Sequence, residues 1–344
     1  MALGRADRGA VLILTAFYGL FCARVVVADD PRDVGPRLVL AGAGANESAP
    51  HGEGNVYAPD VIVADDRIRI WYGAQGRDGH DRIFQAESRD GRAWIRKGLA
   101  LDRGGSNHVN DPSVVRVEKH YWMYYTRADN EVFDDIGLAD STDGLHWTPR
   151  GVVLKPGPAG AWDALLVGRP SVIRDRGRFR MWYDGRKDLP PGAPAAGAPT
   201  SPSSRRAVGY AESTDGLHWT KALTNPVFEH DAGGVDVVRI GAAYVMTYES
   251  HEGTRAATSA DGLAWSDRGL WVPRSPGEGA LDRHGHVTPR LVPHPDGSAT
   301  LYFGAARAAS WDHNCIARLE ISPAKLDELL HKSAVRPAIP RSPQ

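Results

Sequence analysis

A chain of 344 residues with 42% hydrophobic content is long enough to bury one large core or two smaller ones. Its 41 Lys and Arg balance 42 Asp and Glu. That balance argues against the basic surface of a nucleic-acid binder and against an acidic tail.

At the N-terminus, Arg5 and Arg8 precede an apolar run from Ala10 to Ala23, followed by Val26-Val27-Ala28 and Asp29-Asp30. Basic, apolar and small-residue regions in that order read as a secretory signal peptide over residues 1–28, cut after about Ala28. A retained N-terminal anchor is the alternative, but the run is short of the roughly 20 residues a membrane span needs. The mature protein is expected to be secreted or periplasmic, with no stable membrane insertion. Cys22 leaves with the signal, so Cys315 is left as the sole cysteine. No intrachain disulfide and no cysteine-based metal site can then form.

From residue 29 to 321 one pattern repeats. Pro59-Asp60-Val61-Ile62-Val63 precedes Ile68-Arg69-Ile70-Trp71-Tyr72, and Pro112-Ser113-Val114-Val115 precedes Tyr121-Trp122-Met123-Tyr124-Tyr125. Pro170-Ser171-Val172-Ile173 precedes Phe179-Arg180-Met181-Trp182-Tyr183. The spacing from Pro to the aligned apolar residue is eleven in each case (Ile70, Met123, Met181), and Val235 reaches Met246 at the same spacing. A fifth unit, from Pro289-Arg290-Leu291-Val292 to Ala299-Thr300-Leu301-Tyr302-Phe303, is longer by one residue.

Downstream of the second strand the chain repeats Ser-x-Asp-Gly-x-x-Trp four times, at Ser88, Ser141, Ser213 and Ser259. Asp-Gly between β-rich flanks is a hairpin signal, because Gly accepts positive φ and Asp tolerates it. The Ser and Asp oxygens can hold the turn by accepting backbone N–H bonds, and the Trp can cover it. The motif therefore reads as structural. Each unit becomes four strands at a spacing of roughly 45–55 residues, the pattern of propeller blades. The third unit is lengthened by Leu189 to Ser204, rich in Pro, Ala, Gly and Ser, which reads as a flexible insert.

The fifth unit ends at Cys315-Ile316-Ala317-Arg318-Leu319-Glu320 with no fourth strand, and Pro36-Arg37-Leu38-Val39-Leu40 is a candidate to supply it. The expected fold is all-β, a five-bladed β-propeller of four-stranded antiparallel blades, the last closed by the N-terminal strand, which removes an open edge. Residues 322–344 are expected to form a short helix begun by Ser322-Pro323, then a disordered Pro-rich tail from Pro337.

Strand direction sorts the loops onto two faces. The Asp-Gly turns share one with the first-to-second strand turns. The other carries long polar loops, among them Gln75 to Arg82, Arg127 to Asp135, Ser250 to Thr254 and Ala308 to Asn314, and there the first strands open onto a central funnel. Binding and catalysis usually sit on such loops.

The five-unit pattern, the Asp-Pro and Pro-Asp pairs at the first-strand starts, and the Gly-x-Ala-x-Ser-x-Asp-Gly-x-x-Trp hairpin resemble the five-bladed glycoside hydrolases of families 43 and 32 and their relatives, over nearly the whole mature chain. The resemblance implies cleavage of glycosidic bonds in an oligo- or polysaccharide, with acidic residues on the inner strands of the first three blades. Carried over by position, Asp60 would be the first carboxylate, base or nucleophile, and Asp111 the second, orienting the first or tuning its pKa. Capping of strand ends is the structural alternative for both. Such chemistry needs one carboxyl that holds a proton and one that is ionised. The third first-strand departs from the pattern, since Gly168-Arg169-Pro170-Ser171 offers no Glu for the acid. Asp163, Asp184, Asp236 and Glu249 are the substitutes, and Glu249, ending a second strand, is the favoured acid.

Arg169 and Arg290 flank the aligned Pro. They read either as ion-pair partners of Asp60 or Asp111, or as a clamp for a carboxylate, sulfate or phosphate on the substrate. The resemblance also implies that some members hold a cation in the central channel through a histidine of the last blade. His284, His286, His108 and His51 lie on such approaches, but without ligand spacing, so no cofactor and no metal are assigned and His286 is placed with the substrate-binding residues. Tyr57, Trp162 and Trp311 could stack on sugar rings, whereas Trp71, Trp122 and Trp182 read as core. Three rivals remain open: a sialidase-type propeller, disfavoured because its Asp-box has one more residue between Asp and Gly; a glycan-binding propeller without activity; and a glycoside phosphorylase using Arg169 or Arg290 for phosphate.

Overall fold

A computed structural model describes residues 35–44, 48–64, 66–128, 134–192 and 197–331. The signal peptide expected over 1–28 and the tail expected from Pro337 lie outside them. The described chain is β-rich, with one helix. In chain order the strands are β1 (Arg37–Leu40), β2 (Asn55–Ala64), β3 (Arg67–Gln75), β4 (Asp81–Ser88), β5 (Trp94–Leu101), β6 (His108–Val117) and β7 (His120–Ala128). Then follow β8 (Asp135–Ser141), β9 (Thr148–Leu154), β10 (Leu166–Asp175), β11 (Arg178–Arg186), β12 (Ala207–Ser213), β13 (Thr220–Lys221) and β14 (Asp236–Ile240). The last are β15 (Ala243–Ser250), β16 (Gly253–Ser259), β17 (Ser266–Pro273), β18 (His286–Pro293), β19 (Ala299–Ala305) and β20 (Cys315–Ile321). Helix α1 (Pro323–His331) begins where the Ser322 carbonyl accepts the Leu326 N–H.

The architecture is propeller-like. Three antiparallel sheets, β2–β5, β6–β9 and β10–β13, are separate meanders of four strands. The meander β14–β17 touches β18–β20 through one pair, Ser250 with His286, and β1 adds to β20. The core lies between sheets: Val115 and Tyr124 of one pack with Val172, Met181 and Tyr183 of the next. Trp71 and Trp182 are almost wholly buried there, as their positions in the second strands imply.

The repeated turns clamp neighbouring units together. In each, the Ser Oγ accepts the N–H of the Gly, at 2.8–2.9 Å, and the Asp Oδ1 accepts the next two N–H groups. At Gly144, Gly216 and Gly262 the Gly carbonyl then takes a donor from the preceding sheet. Trp71 Nε1 reaches Gly144 O at 3.2 Å, Tyr124 Oη reaches Gly216 O at 2.9 Å, and Trp182 Nε1 reaches Gly262 O at 2.8 Å. Aromatic side chains with one polar tip suit this role, since the ring is buried while the tip stays bonded.

The first strands carry a second regularity. The ladder slips at Ala58-Pro59, Asp111-Pro112, Arg169-Pro170 and Thr288-Pro289, because Pro has no N–H to give. The residue before each Pro has positive φ, at 50°, 50°, 45° and 40°. Such bulges re-aim a side chain at some conformational cost, and they cluster at functional sites.

Candidate active site

The residue after the aligned position is Asp60, Ser113, Ser171, Asp236 and Arg290 in successive units, and four of these accept a backbone N–H from the next first strand. Asp60 Oδ2 takes Val114 N–H at 2.7 Å, Ser113 Oγ takes Val172 N–H at 2.9 Å, Ser171 Oγ takes Val237 N–H at 2.8 Å, and Asp236 Oδ2 takes Leu291 N–H at 2.9 Å. Arg290 carries no acceptor and instead forms ion pairs, with Asp60 at 3.0 Å and with Asp236. Burial pushes the Asp60 carboxyl up to about 6, against the opposing pull of Arg290 and the Val114 N–H. Asp60, Asp236 and Arg290 border an axial cavity of about 30 Å³, room for about one water.

This belt changes the reading of three residues. Asp60 and Asp236 hold the strands, and Arg290 is committed to both carboxylates, so it is no clamp for a substrate anion. A channel cation also finds a poor seat, because the Arg290 guanidinium already stands between the two acids there. His286, expected beside the funnel, is fully buried between Thr254 Oγ1 (2.7 Å) and Asp282 Oδ2 (2.9 Å) and stacks on Phe303. Among the described residues no three His, Cys, Asp or Glu side chains converge in a metal-binding group.

The residues before the aligned Pro border that cavity too, and two of them, Asp111 and Arg169, also face a larger space. A cleft of about 660 Å³ opens where the first strands begin and the second strands end. Asp111, Arg169 and Asp184 line it, with Glu249 just behind. Arg169 lies 3.9 Å from Asp111, 3.2 Å from Asp184 and 3.7 Å from Glu249, and Arg206 forms a second ion pair with Glu249. Thr126 Oγ1 donates to Asp111 Oδ2 at 3.0 Å while accepting the Arg169 N–H at 2.7 Å. Gly234 N–H donates to Asp184 at 3.0 Å, and a Cβ at Gly234 would meet a Glu249 oxygen at 2.6 Å.

Burial and the neighbouring guanidiniums act unequally on these three carboxylates. Burial raises Asp111 to about 7, against the opposing pull of Arg169 and Thr126, and burial also raises Asp184. Glu249 goes the other way. Burial opposes its ionisation, but Arg206 and Arg169 override that and hold it down at about 2. The favoured acid is thus the group least able to hold a proton, whereas burial favours the protonated form of both Asp111 and Asp184.

On the facing wall Asp81 accepts from Gln75 Nε2 at 3.1 Å and Asn110 Nδ2 at 3.5 Å, and its N–H donates to His108 Nδ1 at 3.0 Å. Tyr57 sits beside it, its hydroxyl bonded to Asp81 and its pKa pushed well up by burial and by that carboxylate. Of the other aromatic candidates, Trp162 lies over Tyr183 and Trp311 meets His251 edge-on, and neither borders the cleft. Asp163 is buried against Lys221 and Tyr183. Sequence reasoning missed Asp81, Thr126, Arg186 and Arg206. Arg186 and Arg206 left a trace, as basic residues at the two ends of the Pro- and Ala-rich insert.

No family model matches the chain. An uncharacterised protein of Mycobacterium tuberculosis is 26% identical over 243 residues, 60% of this chain and 73% of that one. Among solved structures, a glycoside hydrolase matches with a TM-score of 0.65 at 20% identity, over 90% of this chain and 97% of that one. A family 117 glycoside hydrolase of Zobellia galactanivorans matches at 0.62 and 15% identity, over 90% and 97%. A thermostable family 43 glycoside hydrolase matches at 0.56 and 16%, over 78% and 88%. The fold is the one these glycoside hydrolases share.

Proposed function

We propose that the chain is a secreted or periplasmic glycoside hydrolase, a five-bladed propeller over residues 29–321 whose last blade is completed by β1, with the signal at 1–28 and a helical tail at 322–344. The observation that carries this reading is Asp111, an acid raised to about 7 that lines the cleft beside Arg169, with the ionised Glu249 on the other side of that guanidinium. Glycosidic cleavage needs that division of labour. In this mechanism the Asp111 carboxyl gives its proton to the leaving oxygen. Asp81, oriented by Gln75 and Asn110, activates water or attacks the anomeric carbon. Arg169 steadies the carboxylate left on Asp111 after proton transfer. The shared fold supports the glycan-directed reading by analogy.

The phosphorylase alternative loses its support, because both arginines named for phosphate are held in ion pairs. The test is turnover of neutral and acidic oligosaccharides by the parent and by Asp111→Asn, followed by chromatography of the products. Hydrolysis that is lost in the variant is the expected result. Binding without turnover by the parent would instead make the protein a glycan-binding module.

A further inference from the structure

Among the described residues lining the cleft, one arginine forms no ion pair. Arg186 ends β11 and Arg206 immediately precedes β12, and the register Gly185 with Ala207 sets them opposite each other at the loop end of the hairpin. Like charges at facing positions repel. Arg206 is neutralised by Glu249. Arg186 is not: among the described residues it has no ion pair, and its Nε is buried with no acceptor. The carboxylates near it are committed elsewhere, Asp184 to Arg169 and the Gly234 N–H, Asp231 to the Arg206 N–H. Lys187 and Arg205 border the adjoining pocket, extending the basic edge. Burial lowers the Arg186 pKa and Arg206 and Arg169 lower it further, while Asp231 and Asp184 pull the other way from beyond ion-pair distance.

We propose that Arg186, with Arg206 beside it, binds an anionic substituent, a carboxylate or a sulfate, on the sugar that occupies the cleft. The inference rests on the glycan reading for the identity of the ligand but not on catalysis. A planar fork of donors lacking an acceptor suits a two-oxygen anion, and a neutral sugar would leave the charge unanswered. The cleft is then bipolar. The anionic group lies at the β11–β12 end, and the bond to be broken lies over Asp111.

Calorimetric titration separates this from the hydrolase question when done on Asp111→Asn, where turnover cannot intervene. The probes are methyl glucuronide, methyl galactoside 6-sulfate and their neutral parents. One or both anionic probes should bind more tightly than their neutral parents. Adding Arg186→Gln should weaken that binding by about tenfold or more while leaving the neutral sugars unchanged. The preferred probe separates carboxylate from sulfate. Equal binding of anionic and neutral probes, or an anion preference that survives Arg186→Gln, would overturn the proposal. A second readout covers folding: removing an unpaired cation should leave the melting temperature of Arg186→Gln unchanged or raised, whereas a structural arginine would lower it. Arg186-dependent binding of an anionic sugar by a protein that hydrolyses nothing would uphold this site and reject the hydrolase reading.

Discussion

Arg290 and Asp60 occupy equivalent positions in the last and first repeats, one residue after the aligned proline, and their side chains meet at 3.0 Å between Nε and Oδ1. The Nε–H is not aimed at that oxygen, so the contact is an ion pair by charge more than a hydrogen bond. Asp236 takes the other side of the guanidinium. The position that accepts a neighbouring N–H in four repeats becomes, in the fifth, the cation that joins two of the acceptors.

Asp60→Asn should therefore act on stability and not on chemistry. The amide keeps an acceptor for Val114 N–H but turns a donor toward Arg290, and breaking a buried pair costs about 3 kcal/mol. Urea denaturation should show that loss. Activity per folded molecule should stay within about threefold, against the hundredfold or greater loss expected for a catalytic carboxylate. A collapse of turnover at unchanged stability would return Asp60 to the reaction.

Asp111 should set the alkaline limit of activity. With its carboxyl at about 7, turnover should hold at lower pH and fall as pH rises through that value. Asp111→Asn should lose about 100-fold to 10,000-fold on natural glycosides, and much less on aryl glycosides whose leaving group needs no proton. Stability carries the same signature. The folded value lies above the unfolded one, so the contribution of Asp111 is fully present below about pH 4 and lost as pH climbs through 7. Denaturation midpoints measured from pH 5 to 8 should fall with pH in the parent and flatten in Asp111→Asn.

Gly216 and Gly160 both hold positive φ, at 75° and 88°, but a Cβ at Gly216 would meet Trp122 at 2.5 Å and Tyr124 Oη at 2.7 Å, whereas at Gly160 the space is open. Gly160→Ala should cost about 1 kcal/mol, the strain of the backbone alone. Gly216→Ala adds a clash and displaces the Tyr124 bond to the Gly216 carbonyl, for about 3 kcal/mol or more. Equal losses in thermal denaturation would mean that the turns do not clamp adjacent sheets.

The repeats were legible because each turn encodes its geometry locally: Ser, Asp and Gly at fixed spacing suffice to specify the hydrogen bonds found at all four copies. The site was only half legible, for a reason of register. Asp60 follows its proline and Asp111 precedes its own, so both border the axial cavity but only Asp111 also reaches the cleft. Protonation was hidden as well. Glu249 looks like an acid from its place at the end of β15, but its state is set by Arg206, which lies 43 residues earlier and meets it from the start of β12 in another sheet. Arg186 differs from other basic residues in what it lacks, and a missing partner cannot be read from a chain of letters.

The coupling between Glu249 and Asp111 offers a test of which group holds the proton. After burial and the pull of Arg169 and Thr126, the charge on Glu249 is among the causes that raise Asp111. Glu249→Gln removes that charge and frees Arg169 to lean toward Asp111. Both effects favour the Asp111 carboxylate, so the alkaline limb of the pH–rate profile should move to lower pH while the limb itself persists. If Glu249 were the proton donor, the same substitution would abolish turnover of natural glycosides and erase the limb. The shape of the profile, measured alongside the fraction folded, decides between them. Arg206→Met extends the test: without its nearest cation Glu249 loses part of what holds it at about 2, and a buried carboxylate so released takes up protons more readily. As it protonates at lower pH, its charge no longer raises Asp111. The coupling should therefore weaken on the acid side of the profile in Arg206→Met and be absent from Glu249→Gln.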